Sequence, residues 1–201
     1  RAAVSQPPRA RSPGSVERSA RPASILPGLA RRIPAAGARA HPMDLSLLLQ
    51  PRDLLVGFDP PDKWAAIQEL VQHLVTTGRV PREVAPEILR QVIARERSMS
   101  TGMERGIAIP HAAVDGVDRV LACMGIIGRE EGLAFEAIDG QPVRLIVLLV
   151  IPRSQKLLHI RTLADVARVL GDGATREALI RAPDAATAHE ALSSARPTTQ
   201  R

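Results

Sequence analysis

The sequence contains one cysteine among its 201 residues, so it cannot form an internal disulfide bond. A single cysteine is typical of proteins that fold in a reducing compartment, and we expect a cytoplasmic location. Cys123 lies in an apolar stretch at residues 120–124. A thiol in such surroundings is expected to be buried and unreactive rather than catalytic.

Long hydrophobic runs and metal-binding motifs are also missing. The longest purely apolar run, residues 145–151, ends at Pro152 and is far shorter than the roughly 20 residues that span a bilayer. The sequence therefore predicts no insertion into a membrane. It contains no Walker loop, no His-Glu-x-x-His motif and no cluster of cysteine and histidine at metal-ligand spacing. We expect neither a metal nor another cofactor.

The excess of basic residues is confined to the beginning of the chain. The formal net charge of +6 suggests nucleic-acid binding at first sight. Residues 1–42 carry eight arginines and one acidic residue, a net charge of +7, whereas the rest carries 19 basic and 20 acidic residues, a net charge of −1. We therefore predict that the folded part does not bind nucleic acid.

Residues 1–42 are rich in alanine, arginine, proline, serine and glycine and show no sustained apolar periodicity. We expect them to be disordered, because they cannot bury enough apolar surface to offset the entropy of ordering. A transit peptide, an RNA-binding tail and a membrane-surface tail remain open. We favour an upstream extension or a mis-assigned start, because Met43 opens the globular pattern. Residues 43–195 would then form one domain, and residues 196–201 a flexible tail.

Apolar periodicity after Met43 predicts strands and helices that alternate along the chain. The predicted helices run from an N-cap at Asp62 to Gly78, from 84 to about 97, from 156 to 170, and around 176–180 and 185–192. The predicted strands are 107–109, 120–127 and 143–151, with 53–58 as a first strand or a turn and 98–106 as a loop. Together they predict an α/β fold: a single domain with a mixed β-sheet sandwiched by helices.

The most informative motif is the apolar run 107–109 followed by Pro110 and His111. Because proline cannot donate to a sheet, we expect the strand to end at Pro110 and to leave His111 partly exposed at its tip. A neutral imidazole is a competent nucleophile near pH 7. A lone histidine after a strand is more often an ordinary surface or capping residue, so the surrounding pattern decides its interpretation.

That pattern begins with Arg95-Glu96, continues through Ser100-Thr101-Gly102 and Gly106, and ends at His111. It resembles the active-site segment of the enzyme IIA components of the bacterial sugar phosphotransferase system, in the fructose, mannitol and nitrogen-regulatory branch. The resemblance covers nearly all of residues 43–195. Downstream it includes residues 135–143, the apolar run 145–151, and His159 followed by Leu163-Ala164.

The resemblance implies that His111 accepts a phosphoryl group from the phosphohistidine of the small carrier HPr. The protein would then pass the group to a IIB component or use it as a regulatory signal. The resemblance makes Arg95 the cationic partner of the phosphoryl oxygens, because its fork matches phosphate geometry. It makes His159 a second histidine that holds the phosphorylated ring or the group. From the residues alone, Arg95 reads as a solvated helix-end arginine paired with Glu96, and His159 as an ordinary residue near a helix N-terminus.

The loop between these residues is expected to complete a phosphate-binding site. Ser100, Thr101 and Gly102 would supply hydroxyl and backbone N–H donors, and Gly106 would permit close approach of the loop to the strand. Plain turn chemistry explains these residue types equally well. Residues 103–105, Met-Glu-Arg, depart from the small or glycine-rich stretch usual in the family, which implies a bulkier and more charged rim and leaves partner choice open.

Two other interpretations remain open at this point. The domain could act as a protein-binding regulatory module that keeps the fold but carries no phosphate, or as a nucleic-acid-binding protein through residues 1–42. The absence of fused transport modules from this sequence favours a regulatory role over sugar transport. The remaining histidines match no motif of the family and are predicted to face solvent; they are His41, His73 and His189.

Overall fold

Five strands form one mixed sheet in the computed structural model, which describes residues 44–195. They are β1 (Leu54–Phe58), β2 (Ile107–Ala108), β3 (His111–Val114), β4 (Leu121–Ile127) and β5 (Leu145–Pro152). β5 pairs antiparallel with β4 along one edge, and parallel with β2 and then β3 along the other. β1 extends the sheet by pairing parallel with β4.

Within residues 44–195, six α-helices cover the two faces of this sheet. They are α1 (Leu45–Leu48), α2 (Lys63–Thr76), α3 (Ala85–Ser98), α4 (Lys156–Gly171), α5 (Gly173–Arg181) and α6 (Ala185–Ser194). A 3-10 turn, Pro51–Asp53, leads from α1 into β1. Helices α2 and α3 pack on one face, and α1, α4, α5 and α6 pack on the other.

The side chains of β5 divide the core between these two faces. Those buried against α2 and α3 are Ile146, Leu148 and Val150, and those buried against the other helices are Leu145, Val147, Leu149 and Ile151. A strand buried on both faces reads as a continuous apolar run, which is why this segment shows no polar alternation. The predicted fold class, a single α/β domain with a mixed sheet between helices, is confirmed.

The predicted helices correspond to α2 through α6. The carboxylate of Asp62 accepts hydrogen bonds from the backbone N–H groups of Trp64 and Ala65, as expected of an N-cap. Residues 53–58 form a 3-10 end and a strand rather than a turn alone. The expected extension at 1–42 and tail at 196–201 lie outside the described residues, so both stay predictions. No helix in the described part of the chain is long and apolar enough to cross a membrane.

Candidate active site around His111

The first correction to the sequence prediction concerns the position of His111. The strand was expected to end at Pro110, but a further strand, β3, begins at His111 and pairs with β5, with His111 opposite Leu149. Proline removes only a donor: its carbonyl oxygen still accepts a hydrogen bond from the N–H of Leu149 at 3.0 Å, so the pairing continues past it. His111 is therefore 8% exposed, and not the partly exposed residue at a strand tip that was expected.

A hydrogen bond to the backbone fixes which nitrogen of His111 is free. Its Nδ1 lies 2.7 Å from the carbonyl oxygen of Ile109. A carbonyl oxygen can only accept, so Nδ1 carries the proton and donates it, and in the neutral ring the lone pair is on Nε2. Nε2 is therefore the ring nitrogen whose lone pair is free.

The surroundings of His111 favour this neutral form. Burial lowers the pKa of its imidazole, and the positive charge of Arg95 and the neighbouring His159 lower it further, against the opposing effect of the bond to Ile109. The pKa of His159 is lowered as well, first by its partial burial and then by Arg95. Both shifts favour the uncharged form of the two rings near neutral pH.

His111 lies between two cavities that differ in chemistry. The first, of about 280 Å³, is called here the charged cavity and is lined by His111, Arg95, His159, Arg153, Gln91 and three alanines, Ala94, Ala112 and Ala113. The second, of about 360 Å³, is called the apolar cavity and is lined by His111, Arg95, Met103, Ile109, Ile138, Leu163, Ala164 and the loop residues Ser100, Thr101 and Gly102. Arg95 lies beside both.

The structure brings Arg95, His111 and His159 together, as the sequence predicted. His159 is in the first turns of α4, and its ring centroid lies 5.2 Å from that of His111 with the planes inclined by 71°. Arg95 is in the last turn of α3, and one guanidinium nitrogen donates to the carbonyl oxygen of Met99 at 2.7 Å. This bond closes the helix end and holds the guanidinium beside the imidazoles, while its remaining N–H groups can serve an anion.

The hydroxyl groups of Ser100 and Thr101 already have protein partners. Thr101 donates its N–H and its hydroxyl proton to the same carboxylate oxygen of Glu96, at 3.0 and 2.6 Å. The Ser100 hydroxyl lies 2.6 Å from the carbonyl oxygen of Phe135 and accepts from the N–H of Gly102 at 3.2 Å. These contacts hold the loop in place, and a direct contact of either hydroxyl with a phosphoryl group stays a prediction.

The family assignment follows from a match over most of the domain. The sequence model described as "Phosphoenolpyruvate-dependent sugar phosphotransferase system, EIIA 2" matches residues 48–195. The chain belongs to this family. The match begins at the last residue of α1 and ends at the last described residue, so it covers all five strands, helices α2 to α6 and both cavities.

Individual relatives are named as nitrogen regulatory proteins and as a fructose-specific EIIA component. The EIIA chain is 33% identical to a nitrogen regulatory protein of Bradyrhizobium diazoefficiens over 131 residues, 65% of this chain and 82% of that protein. It is 31% identical to the fructose-specific EIIA component of Haloferax volcanii over 146 residues, 72% of this chain and 92% of that one. The nitrogen regulatory protein of Escherichia coli is 38% identical over 86 residues, 42% of this chain, and the chain spans about half (52%) of that relative.

Solved structures agree with the fold of the EIIA domain. The nitrogen regulatory protein IIA-Ntr of Neisseria meningitidis superposes with a TM-score of 0.65 at 25% identity, over 74% of this chain and 98% of that one. The mannitol-specific IIA of Escherichia coli, solved in complex with phosphorylated IIB, superposes with a TM-score of 0.60 at 22% identity, over 71% of this chain and 94% of that one. The second likeness supports the fold alone.

Sequence reasoning missed the buried ion cluster beneath the site of this EIIA domain. Glu96 was considered as a partner of Arg95, but its carboxylate turns inward to Thr101 and lies 3.4 Å from Nζ of Lys63. Nζ of Lys63 also lies 2.8 Å from a carboxylate oxygen of Glu136. The position of Lys63, directly after a helix N-cap, carries no local signal, because its partners come from distant segments of the sequence.

The two glycines predicted to bind phosphate act in the EIIA domain through the backbone. A Cβ atom on Gly102 would lie 2.8 Å from the Cα of Ala137, so only glycine lets the loop pack this closely. Gly106 has φ +72°, and its carbonyl oxygen accepts from the N–H groups of Arg144 and Leu145, which fixes the start of β2. Gly106 therefore shapes the strand that leads to His111.

The unusual residues 103–105 form part of the rim of the EIIA site. Met103 lines the apolar cavity, as expected of a bulkier rim. Glu104 is exposed. Arg105 takes a left-handed backbone conformation with φ 65°, held by a bond from its N–H to Asp139 at 2.8 Å and from its guanidinium to the carbonyl oxygen of Gly171 at 3.1 Å.

The other histidines and the cysteine lie away from the charged cavity. His73 and His189 were predicted to face solvent, but each is half-buried. Nε2 of His73 lies 2.8 Å from the carbonyl oxygen of Arg52, and Nε2 of His189 lies 3.0 Å from that of Ser46. His41 lies outside the described residues. Cys123 is fully buried, and burial raises the pKa of its thiol, as expected of an unreactive cysteine. Residues 44–195 contain no group of three His, Cys, Asp or Glu side chains placed to hold a metal ion.

Proposed function

We propose that this EIIA domain accepts a phosphoryl group on Nε2 of His111 from the phosphohistidine of an HPr-like carrier protein. It then passes the group to a IIB component or uses it as a regulatory signal. The observation that carries the proposal is the bond from Nδ1 to the carbonyl oxygen of Ile109, which leaves the Nε2 lone pair free in a ring kept neutral by burial. The Nε2–P bond forms as the P–N bond to the donor imidazole breaks, and the donor nitrogen keeps the electron pair.

The charged cavity fits the phosphorylated product. Phosphoryl transfer passes through a loose transition state, so the protein contributes mainly position and charge. Arg95 and His159 lie on the same cavity as His111 and place cationic and N–H donor groups where the phosphoryl oxygens would be. This is the role that we propose for both residues.

The surface around the site suits a protein donor and a protein acceptor. Large apolar side chains are exposed on the segments that border the two cavities: Met99 at 70%, Ile138 at 77%, Leu157 at 85% and Ile160 at 70%. Exposed apolar side chains that are grouped in this way are typical of protein interaction surfaces. Relatives named as nitrogen regulatory proteins and as a fructose-specific component support both outlets, regulatory signalling and transfer to IIB.

The experiment is incubation with phosphoenolpyruvate, enzyme I and HPr, followed by intact mass. We expect one added phosphoryl group that is lost in acid and stable in alkali, as a phosphoramidate is. His111→Ala should abolish it, and His73→Ala, a half-buried histidine away from both cavities, should not. Retention of the label in His111→Ala would refute the site. No label on the wild-type protein would favour a protein-binding module that carries no phosphate.

A further inference from the structure

The charged cavity contains an arginine that the proposed function does not use. Arg153 follows β5 directly, and its backbone N–H donates to the carbonyl oxygen of Val114 at 2.9 Å. This bond extends the pairing of β3 with β5 and fixes the backbone of Arg153 beside the strand that begins at His111. Arg153 lines the charged cavity together with Arg95 and both site histidines.

At present the guanidinium of Arg153 is held by Asp115. Its Nε donates to Oδ2 of Asp115 at 3.0 Å, with the two side chains 48% and 82% exposed. An exposed ion pair of this kind is weak, because water screens both charges. The nearby carboxylate of Glu87 already accepts from Arg90 and Gln91 at 2.7 to 2.8 Å, so Asp115 is the main carboxylate partner of Arg153.

We propose that Arg153, together with Arg95 and His159, binds the phosphoryl group on His111. In the unphosphorylated protein, Asp115 forms an ion pair with the Arg153 guanidinium. This inference rests on the proposed function. A phosphoryl group carries more negative charge than a carboxylate, in a cavity more enclosed than the surface where Asp115 lies. When the group arrives, the Arg153 guanidinium turns from Asp115 to the phosphoryl oxygens.

The exchange has a consequence at the surface of the domain. Asp115 lies just after β3, and on phosphorylation its carboxylate loses its cationic partner and becomes an unpaired negative charge. A protein that docks beside the cavity would therefore meet a different charge pattern in the two states. This gives the regulatory outlet of the proposed function a physical signal.

The first test is the equilibrium of phosphate between HPr and three variants, measured by intact mass. Arg153→Gln should shift the distribution toward phosphorylated HPr by about three- to fivefold, the size of a partly exposed charge contact. Asp115→Asn should shift it the other way, because it releases Arg153. Arg181→Gln is the control: it breaks an exposed arginine–carboxylate pair elsewhere, with Glu177, and should change nothing.

Two results would overturn the inference in this assay. One is an Arg153→Gln protein that matches the wild type. The other is an Asp115→Asn effect that persists in the Arg153→Gln background, because Asp115 would then act without Arg153.

A second test uses inorganic phosphate and needs no donor protein. In the unphosphorylated wild type, phosphate should shift the NMR signals of the His159 ring and of the Arg153 Nε–H together, and its dissociation constant should rise about three- to fivefold in Arg153→Gln. No binding by the wild type, or equal binding by the variant, would contradict the inference. Phosphate binding that depends on Arg153, in a protein that HPr does not label, would refute transfer from HPr and leave Arg153 only as part of an anion-binding site.

Discussion

Replacing Glu96 with glutamine tests how far the site depends on the buried carboxylate beneath it. Glu96 is 2% exposed, accepts two hydrogen bonds from Thr101 and lies 3.4 Å from Nζ of Lys63. Glutamine keeps the shape and one acceptor oxygen, so Thr101 keeps its bonds. Lys63 then faces an uncharged amide, and its remaining carboxylate partner is Glu136, whose side chain is 76% exposed.

The expected cost follows from these contacts. The change turns charge-assisted hydrogen bonds, worth about 1.5–3 kcal/mol, into neutral ones worth about 1 kcal/mol, and removes one of the two carboxylates of Lys63. We expect the free energy of unfolding to fall by about 2 kcal/mol. For a domain of this size the melting temperature would drop by roughly 4–8 °C. Glu96→Ala should cost about 1–3 kcal/mol more, because the buried N–H of Thr101 loses its acceptor.

The assay is thermal unfolding of the two variants beside Glu87→Gln. Glu87 lies on the same helix in an exposed pair with Arg90 at 2.7 Å, so its replacement should change the melting temperature little. We also expect slower labelling of His111 in Glu96→Gln, because Thr101 helps to hold the loop beside Arg95. If Glu96→Gln melted at the same temperature as Glu87→Gln, the buried cluster would not support the site in the way argued here.

The remaining predictions concern the charged cavity and its pH dependence. Arg95→Ala and His159→Ala should keep the fold and some labelling of His111, but slow transfer or destabilise the adduct by about one to two decades, measured as the labelling rate and the adduct half-life. Arg95→Lys should restore only part of the rate and adduct stability lost in Arg95→Ala, since a point charge cannot reproduce the bidentate fork. If both alanine variants behaved like the wild type, the site would be restricted to His111 and its loop. The labelling rate should begin to fall at a lower pH than expected for an ordinary histidine, because burial lowers the pKa of the His111 imidazole and keeps it neutral. The free energy of unfolding should decrease as the pH falls below about 6.5, because His111 and His159 bind protons more readily in the unfolded chain than in the folded one. This loss of stability should be smaller in His111→Asn, and an unchanged loss would contradict the pKa argument.

The sequence was sufficient for the elements whose signal is local. The continuous apolar run of β5 and the helical spacing after Asp62 depend on residues close together in the chain, and the structure contains both elements. The grouping of Arg95, His111 and His159 came from the family resemblance rather than from periodicity. No local pattern indicates that the first turns of α4 lie beside the start of β3.

The features that sequence reasoning missed depend on contacts between distant segments. Glu96 turns toward Lys63 and Thr101 rather than Arg95 because the loop after α3 passes over it, and no spacing rule describes that path. Arg153 lines the cavity because β3 pairs with β5 beyond a proline that was expected to end the strand. A missed strand therefore also concealed a candidate site residue.

The backbone of Ile109, next to Pro110, connects the fold to the proposed chemistry. The N–H of Ile109 donates to the carbonyl oxygen of Thr101 at 3.1 Å, and the carbonyl oxygen of Ile109 accepts from the His111 ring. The register with β5 is the same on both sides of Pro110, since Ala108 lies opposite Ile146 and His111 opposite Leu149. The carbonyl oxygen of Pro110 faces β5 and accepts from Leu149, so the N–H and carbonyl groups of the preceding residue, Ile109, point away from β5. Ile109 therefore binds the loop through its N–H, and its carbonyl oxygen accepts from Nδ1 of His111, which leaves the Nε2 lone pair free.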